Sequence, residues 1–332
     1  MSLERNKADI RIYACGGGGI SIASKIYDWK NKALDGFANV KFAFVDTSKS
    51  NFKIPVDDED VYLIEELDGQ GKKRGLDAKE SIIPVIADIV QNHKPSSLNI
   101  VLHTLAGGSG SVLSPLIVKE LLNRDAPVIV VAIGDNGSVI ESNNTLKTLQ
   151  TYENLAINVV KKPIVMAYYY NEGSASRKEV DKYVINMIES LRCLFANQHI
   201  GLDSQDLYHW LRYDKVTDYP NQLAVLTMVG SNDDLHKVYG KAISVATLAA
   251  EGESTDYPET VEYHTEGEIS KELSSKIYSV TTHFVISDGL VDRVAKDIES
   301  HLAKLKEEKD SRVIRQSIIK GVNDADESGL IV

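Results

Sequence analysis

The sequence predicts an α/β protein: a doubly wound parallel-sheet domain, then a long central helix and a smaller α/β domain. Throughout the first half, short apolar runs rich in β-branched residues alternate with segments of helical periodicity. Such strands, buried on both faces, are typical of a parallel sheet covered by helices on each side. With 332 residues, of which 43% are hydrophobic, the chain is long enough for one large domain or two ordinary ones.

The first half supplies the elements of this sheet in alternating order. Strands are predicted at residues 8–14, 40–46, 98–104, 127–133 and 163–170. Helices are predicted at residues 20–34, 77–93, 109–122 and 141–160. We assign residues 1–173 to this domain.

A wide apolar face runs along residues 174–198, where Val180, Val184 and Ile188 recur at helical spacing. We expect one long helix there, buried between layers, and assign residues 174–200 to a central linking helix. Beyond it lie an apolar run at 221–230, a predicted helix at 234–248, a strand at 276–287 and a helix at 292–309. These elements predict a smaller α/β domain over residues 201–310, followed by a polar tail at 311–332.

The composition excludes several classes of protein. The formal net charge of −11 argues against direct nucleic-acid binding, because such binding depends on basic surface. Cys15 and Cys193 form no CxxC pair or Cys/His cluster, so neither a disulfide framework nor a protein metal site is predicted. The polar start and the lack of a long apolar run predict a cytoplasmic protein without a membrane partner.

Two glycine-rich stretches each follow a predicted strand and precede a predicted helix. Ligands of open parallel sheets bind at the carboxyl ends of the strands, where helix N-termini present N–H groups that suit phosphate. We therefore expect both stretches to hold phosphates, although each could instead be only a tight turn. The candidate phosphate-binding residues are Gly16, Gly17, Gly18, Gly19, Gly107, Gly108, Ser109, Gly110 and Ser111.

The spacing within these stretches leaves two classes of nucleotide site to weigh. Neither stretch has the Lys-Ser/Thr pair of a P-loop. Gly16, Gly18 and Ser21 approach the dinucleotide fingerprint, and Asp46 ends the second strand where a ribose-binding acid would lie. An NAD(P)-dependent oxidoreductase is therefore an alternative, but it leaves the second glycine stretch unexplained and lacks a convincing catalytic His or Tyr-x-x-x-Lys set.

The segment "AGGSGS" (106–111) is similar to the GGGTGTG/GGGTGSG signature of the tubulin/FtsZ superfamily, with Ala106 in place of the first glycine. "CGGGG" (15–19) resembles the first phosphate loop of that superfamily, and "FVDTS" (44–48), which contains Asp46, resembles the second. "GQGKKRG" (69–75) stands where the loop sensing the γ-phosphate is expected, which makes Gly71 a candidate contact. The resemblance runs in order from about residue 10 to residue 209.

The segment "GLDSQDLYHWLR" (201–212) resembles the co-catalytic loop of FtsZ, N-x-D-F-x-D-[VL]. Asp203 and Asp206 match its two acids, while Gly201 and Ser204 depart from the pattern. Considered alone, Asp203 is better interpreted as the N-cap of the following helix. Together with the upstream loops, the resemblance implies that both acids are catalytic and that 201–310 is the activation domain.

The resemblance implies a GTPase whose site is shared between subunits. GTP, with GDP as product and Mg²⁺ as metal, would sit on the first domain, and the next subunit's co-catalytic loop would complete the site when monomers stack. Asp181 falls at the position that reads guanine in the family, although it could be an ordinary solvated helix charge. Glu141 matches the ribose-contacting acid, and Asn144 lies close to a nucleotide-contacting position. A nucleotide-binding adaptor without hydrolysis is a further alternative, against which Asp203 and Asp206 both argue.

Within the superfamily, the chain looks most like the phage-encoded tubulins of large bacteriophages. The length, the "SGS" form of the signature, the acidic tail and the lack of a long linker with an apolar end peptide favour that group. The resemblance implies a homopolymeric cytomotive filament that positions phage DNA in the host bacterial cytoplasm. A plasmid-segregating tubulin homologue is the alternative within the family.

The tail at 311–332 combines a possible short helix with an acidic cluster of Asp324, Asp326 and Glu327 and an apolar end, "GLIV". One interpretation is a solvated, disordered end. The other is a latch that binds a basic patch on the adjacent subunit, with the apolar residues as anchors. We expect the latch, because a purely solvating tail has no use for terminal apolar residues.

Overall fold

A ten-stranded sheet organises the part of the chain that the structure, a computed structural model, describes: residues 7–52, 55–64, 79–135, 138–171, 177–269 and 281–311. In chain order the strands are β1 Asp9–Cys15, β2 Asn39–Asp46, β3 Val61–Leu63, β4 Leu98–Thr104, β5 Val128–Asp135, β6 Ile164–Asn171, β7 Leu223–Val229, β8 Ala242–Ala249, β9 Tyr263–Glu268 and β10 Thr282–Ser287.

The helices pack on both faces of this sheet. They are α1 Gly16–Ala23, α2 Lys79–Asn92, α3 Ser109–Asn123, α4 Val139–Asn154, α5 Arg177–Leu194, α6 Ser204–Leu211, α7 Asn232–Leu235 and α8 Leu290–Ser311. A 3₁₀ segment, Ser24–Asn31, continues α1, and a π-helical turn, Leu155–Val159, continues α4. Among the described residues, no helix is both long enough and apolar enough to cross a membrane.

The strand order is β3-β2-β1-β4-β5-β6-β7-β10-β8-β9. The strands from β3 to β7 pair in parallel, and β10 is antiparallel to both of its neighbours. Because β1 lies between β2 and β4, the chain reverses its direction of sheet growth there, which creates a crevice at the carboxyl ends of β1 and β4. This confirms the predicted doubly wound α/β fold.

Alternate residues of β1 enter two different cores. Ile10, Ile12 and Ala14 belong to the hydrophobic cluster on one face of the sheet, and Tyr13 and Cys15 to the cluster on the other. Both faces of the strand are therefore covered, which is why its sequence is apolar almost throughout.

The predicted central helix is present as α5, and Val180, Val184 and Ile188 are buried in the first of these clusters. Residues 172–176, where we expected the helix to begin, lie outside the described residues. The sheet continues without a break from β6 to β7, across the predicted domain boundary at residue 200. The division into domains at that residue stays a prediction.

The prediction of a helix at residues 234–248 is wrong. The structure has a four-residue helix, α7, and then the strand β8, which is buried along its whole length between β10 and β9. A strand buried on both faces is a nearly continuous apolar run, so periodicity alone does not distinguish it from a buried helix. The β-branched Ile243, Val245 and Thr247 are the signal that favours a strand.

Two short or polar strands, β3 and β9, have no counterpart in the sequence-based assignment. The strand predicted at 276–287 is described only as β10, because residues 270–280 lie outside the described residues. Residues 312–332, which carry the predicted latch, lie outside them too.

Candidate functional site

The two glycine stretches meet at the carboxyl ends of β1 and β4. The first helix begins directly at Gly16, whose φ of 70° suits glycine, so this stretch forms the first turn of α1 and not a separate loop. A Cβ on Gly16 would lie 2.8 Å from the backbone nitrogen of Gly110, and a Cβ on Gly110 would lie 2.8 Å from the carbonyl oxygen of Cys15. The two stretches therefore pack backbone against backbone.

Further glycines bring α1 and the signature stretch onto the end of β4. A Cβ on Gly18 would overlap the methyl group of Thr104, and one on Gly19 would overlap the carbonyl oxygen of Leu102. A Cβ on Gly107 would lie 2.8 Å from the Thr104 hydroxyl. These glycines have a packing role, whatever they bind.

Replacing Gly19 by alanine is expected to destabilise the protein by about 3 kcal/mol, because the added methyl group meets the rigid backbone of a central strand. Chemical denaturation monitored by circular dichroism measures this change. Gly230→Ala is the matched control, since no atom lies within 4 Å of a Cβ there, and we expect it to change stability by less than about 0.5 kcal/mol. Equal stabilities of the two variants would contradict the predicted close packing.

The first turns of α1 and α3 suit an anion. Their N-cap residues, Cys15 and Gly108, make no side-chain capping hydrogen bond, and within these described helices no acidic residue lies in the first turn. The N–H groups at both helix starts therefore have no side-chain cap, and each helix dipole favours negative charge there. Two such helix starts side by side can hold more than one phosphate group.

The end of β2 supports this arrangement from the side. The carboxylate of Asp46 is fully buried and accepts hydrogen bonds from Thr47 N (2.7 Å) and from Asn51 Nδ2 (2.6 Å). The hydroxyls of Thr47 and Ser109 are 2.8 Å apart and join this loop to the start of α3. Asp46 therefore orders the loop, and the Thr47 hydroxyl contacts Ser109 of the signature stretch.

An open cavity of about 430 Å³ lies above the glycines, within the usual size range of small-molecule sites. One end is formed by glycines and Thr104, and the other by charged and polar residues of four different elements. The lining residues are Gly17, Gly18, Ser21, Ile22, Thr104, Ala106, Gly107, Ile133, Asp135, Glu141, Asn171, Arg177 and Asp181.

The charged end of the cavity contains Asp181, the predicted guanine contact. Lys25, from the 3₁₀ continuation of α1, donates to Asp181 Oδ2. Arg177, one turn earlier on α5, lies 3.9 Å from Asp135 Oδ2, and Asn171 Nδ2 donates to the same oxygen at 3.4 Å. The structure thus places Asp181 at a cavity that also contains the glycine backbone.

Glu141 and Asn144 lie on α4 beside the signature stretch. Glu141 lines the cavity, and its carboxylate accepts a hydrogen bond from Ser138 Oγ (2.8 Å) at the start of the helix. Asn144 is buried and donates from Nδ2 to the carbonyl of Ala106 (3.2 Å), so it holds the signature stretch from below. Ser111 is also buried, and its hydroxyl donates to the carbonyl of Gly108 (3.0 Å). A direct nucleotide contact by the side chain of Glu141, Asn144 or Ser111 stays a prediction. Gly71, the predicted γ-phosphate contact, lies outside the described residues.

Asp203 and Asp206 lie at the opposite edge of the sheet. Asp203 lines a small cavity of about 200 Å³ together with Ala8, Ser97 and Pro127, which precede β1, β4 and β5. The seven residues of β1 span about 20 Å, so the two acids are far from the glycine backbone of the same chain. The structure therefore does not bring the predicted catalytic acids and the predicted phosphate site together within one chain.

The two acids form a reciprocal capping box at the start of α6. Asp203 Oδ1 accepts from Gln205 N (2.8 Å) and Asp206 N (3.0 Å), and Asp203 N donates to Asp206 Oδ2 (3.0 Å). The N-cap interpretation of Asp203 is therefore realised. It does not conflict with a catalytic role, because Asp203 is exposed and Asp206 half-exposed, and the box fixes the orientation of both carboxylates.

The sequence analysis missed three residues at the charged end of the cavity: Lys25, Asp135 and Asn171. Asp135 and Asn171 are the last residues of β5 and β6. A polar residue at the carboxyl end of a buried parallel strand is a signal that could have identified both of them. Lys25 has no such signal, because only the folded chain brings it to Asp181.

Fold and site together define a doubly wound α/β protein whose two glycine stretches suit the phosphates of a nucleotide. No family model matches the chain. The chain is 26% identical over 337 residues to a phage tubulin-like protein of Pseudomonas phage phiKZ, covering 98% of this chain and 99% of that relative. A solved TubZ protofilament from bacteriophage PhiKZ is 28% identical, with a TM-score of 0.81, and a GDP form of the phage tubulin PhuZ is 26% identical, with a TM-score of 0.80. Each of these two matches covers 97% of this chain and 99% of the other.

These similarities confirm the predicted relationship to the tubulin/FtsZ superfamily and, within it, to the phage-encoded tubulins. They favour the tubulin interpretation over the NAD(P)-dependent oxidoreductase, since each of the three matches is a tubulin-like protein that spans nearly the whole chain.

Proposed function

We propose that this protein is an assembly-dependent GTPase that polymerises head to tail and hydrolyses GTP at the interface between subunits. The observation that carries the proposal is the position of the two half-sites. The glycine backbone lies at the carboxyl-end edge of the sheet and Asp203 with Asp206 at the amino-end edge. Stacking the amino-end edge of one subunit on the carboxyl-end edge of the next brings the two halves together.

The nucleotide would bind with its phosphates on the first turns of α1 and α3 and its base toward Asp181. In this proposal Gly16 to Gly19 and Gly107 to Ser111 donate backbone N–H groups to the phosphate oxygens. Mg²⁺, when bound, neutralises charge on the phosphate oxygens and keeps several of its own waters. The paired hydroxyls of Thr47 and Ser109 are oxygen ligands that fit such an ion.

The chemical step needs a water aligned with the bond between the γ-phosphorus and its bridging oxygen. Asp203 or Asp206 of the stacked subunit would orient this water and accept its proton as the new P–O bond forms and the bridging bond breaks. The capping box supports this role because it holds both carboxylates in a defined orientation at the start of α6. A lone subunit lacks this half of the site, so hydrolysis depends on assembly.

The biological role that we propose is a cytomotive filament that positions phage DNA in the cytoplasm of the infected bacterium. The similarity to phage tubulin-like proteins supports this role over plasmid segregation. The predicted latch between the tail and an adjacent subunit is part of the same proposal.

Phosphate release from GTP, measured over a range of protein concentrations with light scattering in parallel, tests the proposal. We expect turnover per molecule to rise above a threshold concentration at which scattering also rises. Turnover per molecule that is constant at all concentrations, without scattering, would mean that one chain carries a complete site.

A further inference from the structure

The C-terminal end of α3 carries an aspartate where a glycine is favoured. The Asp125 and Ala126 N–H groups donate to the carbonyls of Leu122 and Leu121, both at 3.0 Å, which is the hydrogen-bond pattern of a Schellman motif. Asp125 occupies the left-handed position of that motif, with φ of 56°. Glycine is the usual residue there, so the aspartate side chain needs another explanation.

The carboxylate of Asp125 collects three donors from two other segments. Tyr208 Oη donates to Oδ2 at 2.6 Å, and Arg212 Nη1 and Lys162 Nζ donate to Oδ1 at 2.5 and 3.0 Å. Tyr208 and Arg212 belong to α6 and its C-cap, and Lys162 lies just before β6. The hydrogen bond from Tyr208 is the main cause that lowers the pKa of Asp125, so the carboxylate is charged at neutral pH.

Arg212 makes this cluster more than a surface ion pair. Its side chain is only 5% exposed, and a buried guanidinium needs carboxylate partners. Asp214 provides one through two hydrogen bonds of 2.8 and 2.9 Å, and Asp125 provides the other. Asp214 lies two residues from Arg212, so Asp125 is the partner that ties this end of α6 to α3.

The cluster joins the two half-sites of the proposed reaction through one helix. The signature stretch lies at the start of α3, and Asp125 follows the other end of this helix, about 22 Å away. On the other side of the contact, α6 begins with the capping box of Asp203 and Asp206. Asp125, which follows the proposed phosphate-binding helix α3, therefore contacts α6, the helix that begins with the two acids.

We propose that Asp125 is a positioning residue, which holds α6 so that Asp203 and Asp206 reach the nucleotide of the adjacent subunit. This inference rests on the proposed function, because it assumes that the two acids act across a subunit interface. Asp125 acts through α6 in this proposal, because its carboxylate already accepts hydrogen bonds from three side chains of its own chain. A misplacement of about 1 Å in a catalytic group can reduce a rate about 100-fold.

Asp125→Gly is the decisive variant, because glycine fits the left-handed position and only the carboxylate is lost. We expect its GTP turnover per assembled subunit to fall about tenfold or more, with KM for GTP and the affinity for GDP unchanged within about twofold. Lys161→Gly is the matched control: Lys161 also has a positive φ of 52°, lies at the same edge and is exposed. We expect it to retain wild-type turnover.

Two milder variants keep the test valid if Asp125→Gly does not assemble. Asp125→Asn keeps an oxygen acceptor at a left-handed position, and Tyr208→Phe removes one hydrogen bond from the cluster. We expect both to turn over more slowly than wild type and faster than Asp125→Gly. Wild-type turnover in polymer of Asp125→Gly would overturn the proposal. If that variant does not assemble, wild-type turnover in both milder variants would overturn it. A loss of GDP affinity equal to the loss of turnover would also overturn it, since that result indicates a general structural defect.

A different experimental result would contradict the proposed function itself. If turnover by wild-type protein does not depend on concentration, the shared site itself is wrong. If wild-type turnover depends on assembly and Asp203→Asn abolishes it while Asp125→Gly does not, only the positioning role of Asp125 is wrong.

Discussion

Replacing Asp203 by asparagine is expected to lower GTP turnover about 100-fold or more while filaments still assemble. Asparagine is as good an N-cap as aspartate, so its side-chain oxygen can still accept from Gln205 N and Asp206 N. What the variant loses is the negative charge that would accept a proton from the attacking water, and general-base catalysis contributes about 10²–10⁴-fold. Phosphate release and polymer mass, measured in the same sample, separate turnover from assembly.

Two further variants decide whether the carboxylate or the cap matters. Asp203→Ala removes both, and we expect the same loss of turnover together with about 1 kcal/mol of lost stability. Asp233→Asn removes an exposed acid from the first turn of α7, and we expect no change in turnover. Full turnover by Asp203→Asn with impaired Asp203→Ala would mean that Asp203 serves α6 only as a cap.

Replacing Asp181 by asparagine is expected to change the preferred nucleotide from GTP to XTP. The ratio of the affinity for XTP to the affinity for GTP should rise by about 100-fold. Guanine presents two donors, N1–H and the exocyclic amine, to a carboxylate that can only accept. Xanthine keeps N1–H but has a carbonyl in place of the amine, which matches the acceptor and the donor of an asparagine amide. The one hydrogen bond that is reversed is worth about 1–3 kcal/mol, because with the wrong nucleotide its partner would be left unpaired. Competition of the two nucleotides for the protein measures the preference.

Glu179→Gln controls for the loss of a negative charge on α5, because Glu179 is exposed on the same helix. This variant should keep the wild-type preference for GTP. An unchanged preference in Asp181→Asn would contradict the role of Asp181 and leave it as the ion-pair partner of Lys25.

The first half of the fold could be predicted because its signals are local. Buried strands such as β1 and β5 are continuous apolar runs, and the helices between them carry a 3.6-residue period. The helix predicted at 234–248 is wrong because a continuous apolar run has no period that separates a buried strand from a buried helix. The two faces of β8 pack into two different hydrophobic clusters, so its side chains are apolar almost throughout.

Some residues of the candidate site could likewise be identified from the sequence, and others could not. The glycine stretches could be identified from residue type and position alone, because close backbone contacts such as that of Gly16 with Gly110 leave no room for a side chain. Lys25 beside Asp181, and Asp125 beside Tyr208 and Arg212, are brought together from positions far apart in the chain. Their chemistry depends on the folded arrangement, so sequence patterns give no sign of it.

One mixing experiment tests the shared site most directly, using the two variants above. Asp203→Asn subunits would bind GTP but present no carboxylate at position 203, and Asp181→Asn subunits would be filled with XTP but present an intact Asp203. With the label only on the γ-phosphate of GTP, we predict that label release is near zero in Asp203→Asn alone. We predict that it rises with the fraction of Asp181→Asn subunits, because their acids act on the neighbour's GTP. Copolymers in which label release stays at the level of Asp203→Asn alone would contradict a site shared between subunits.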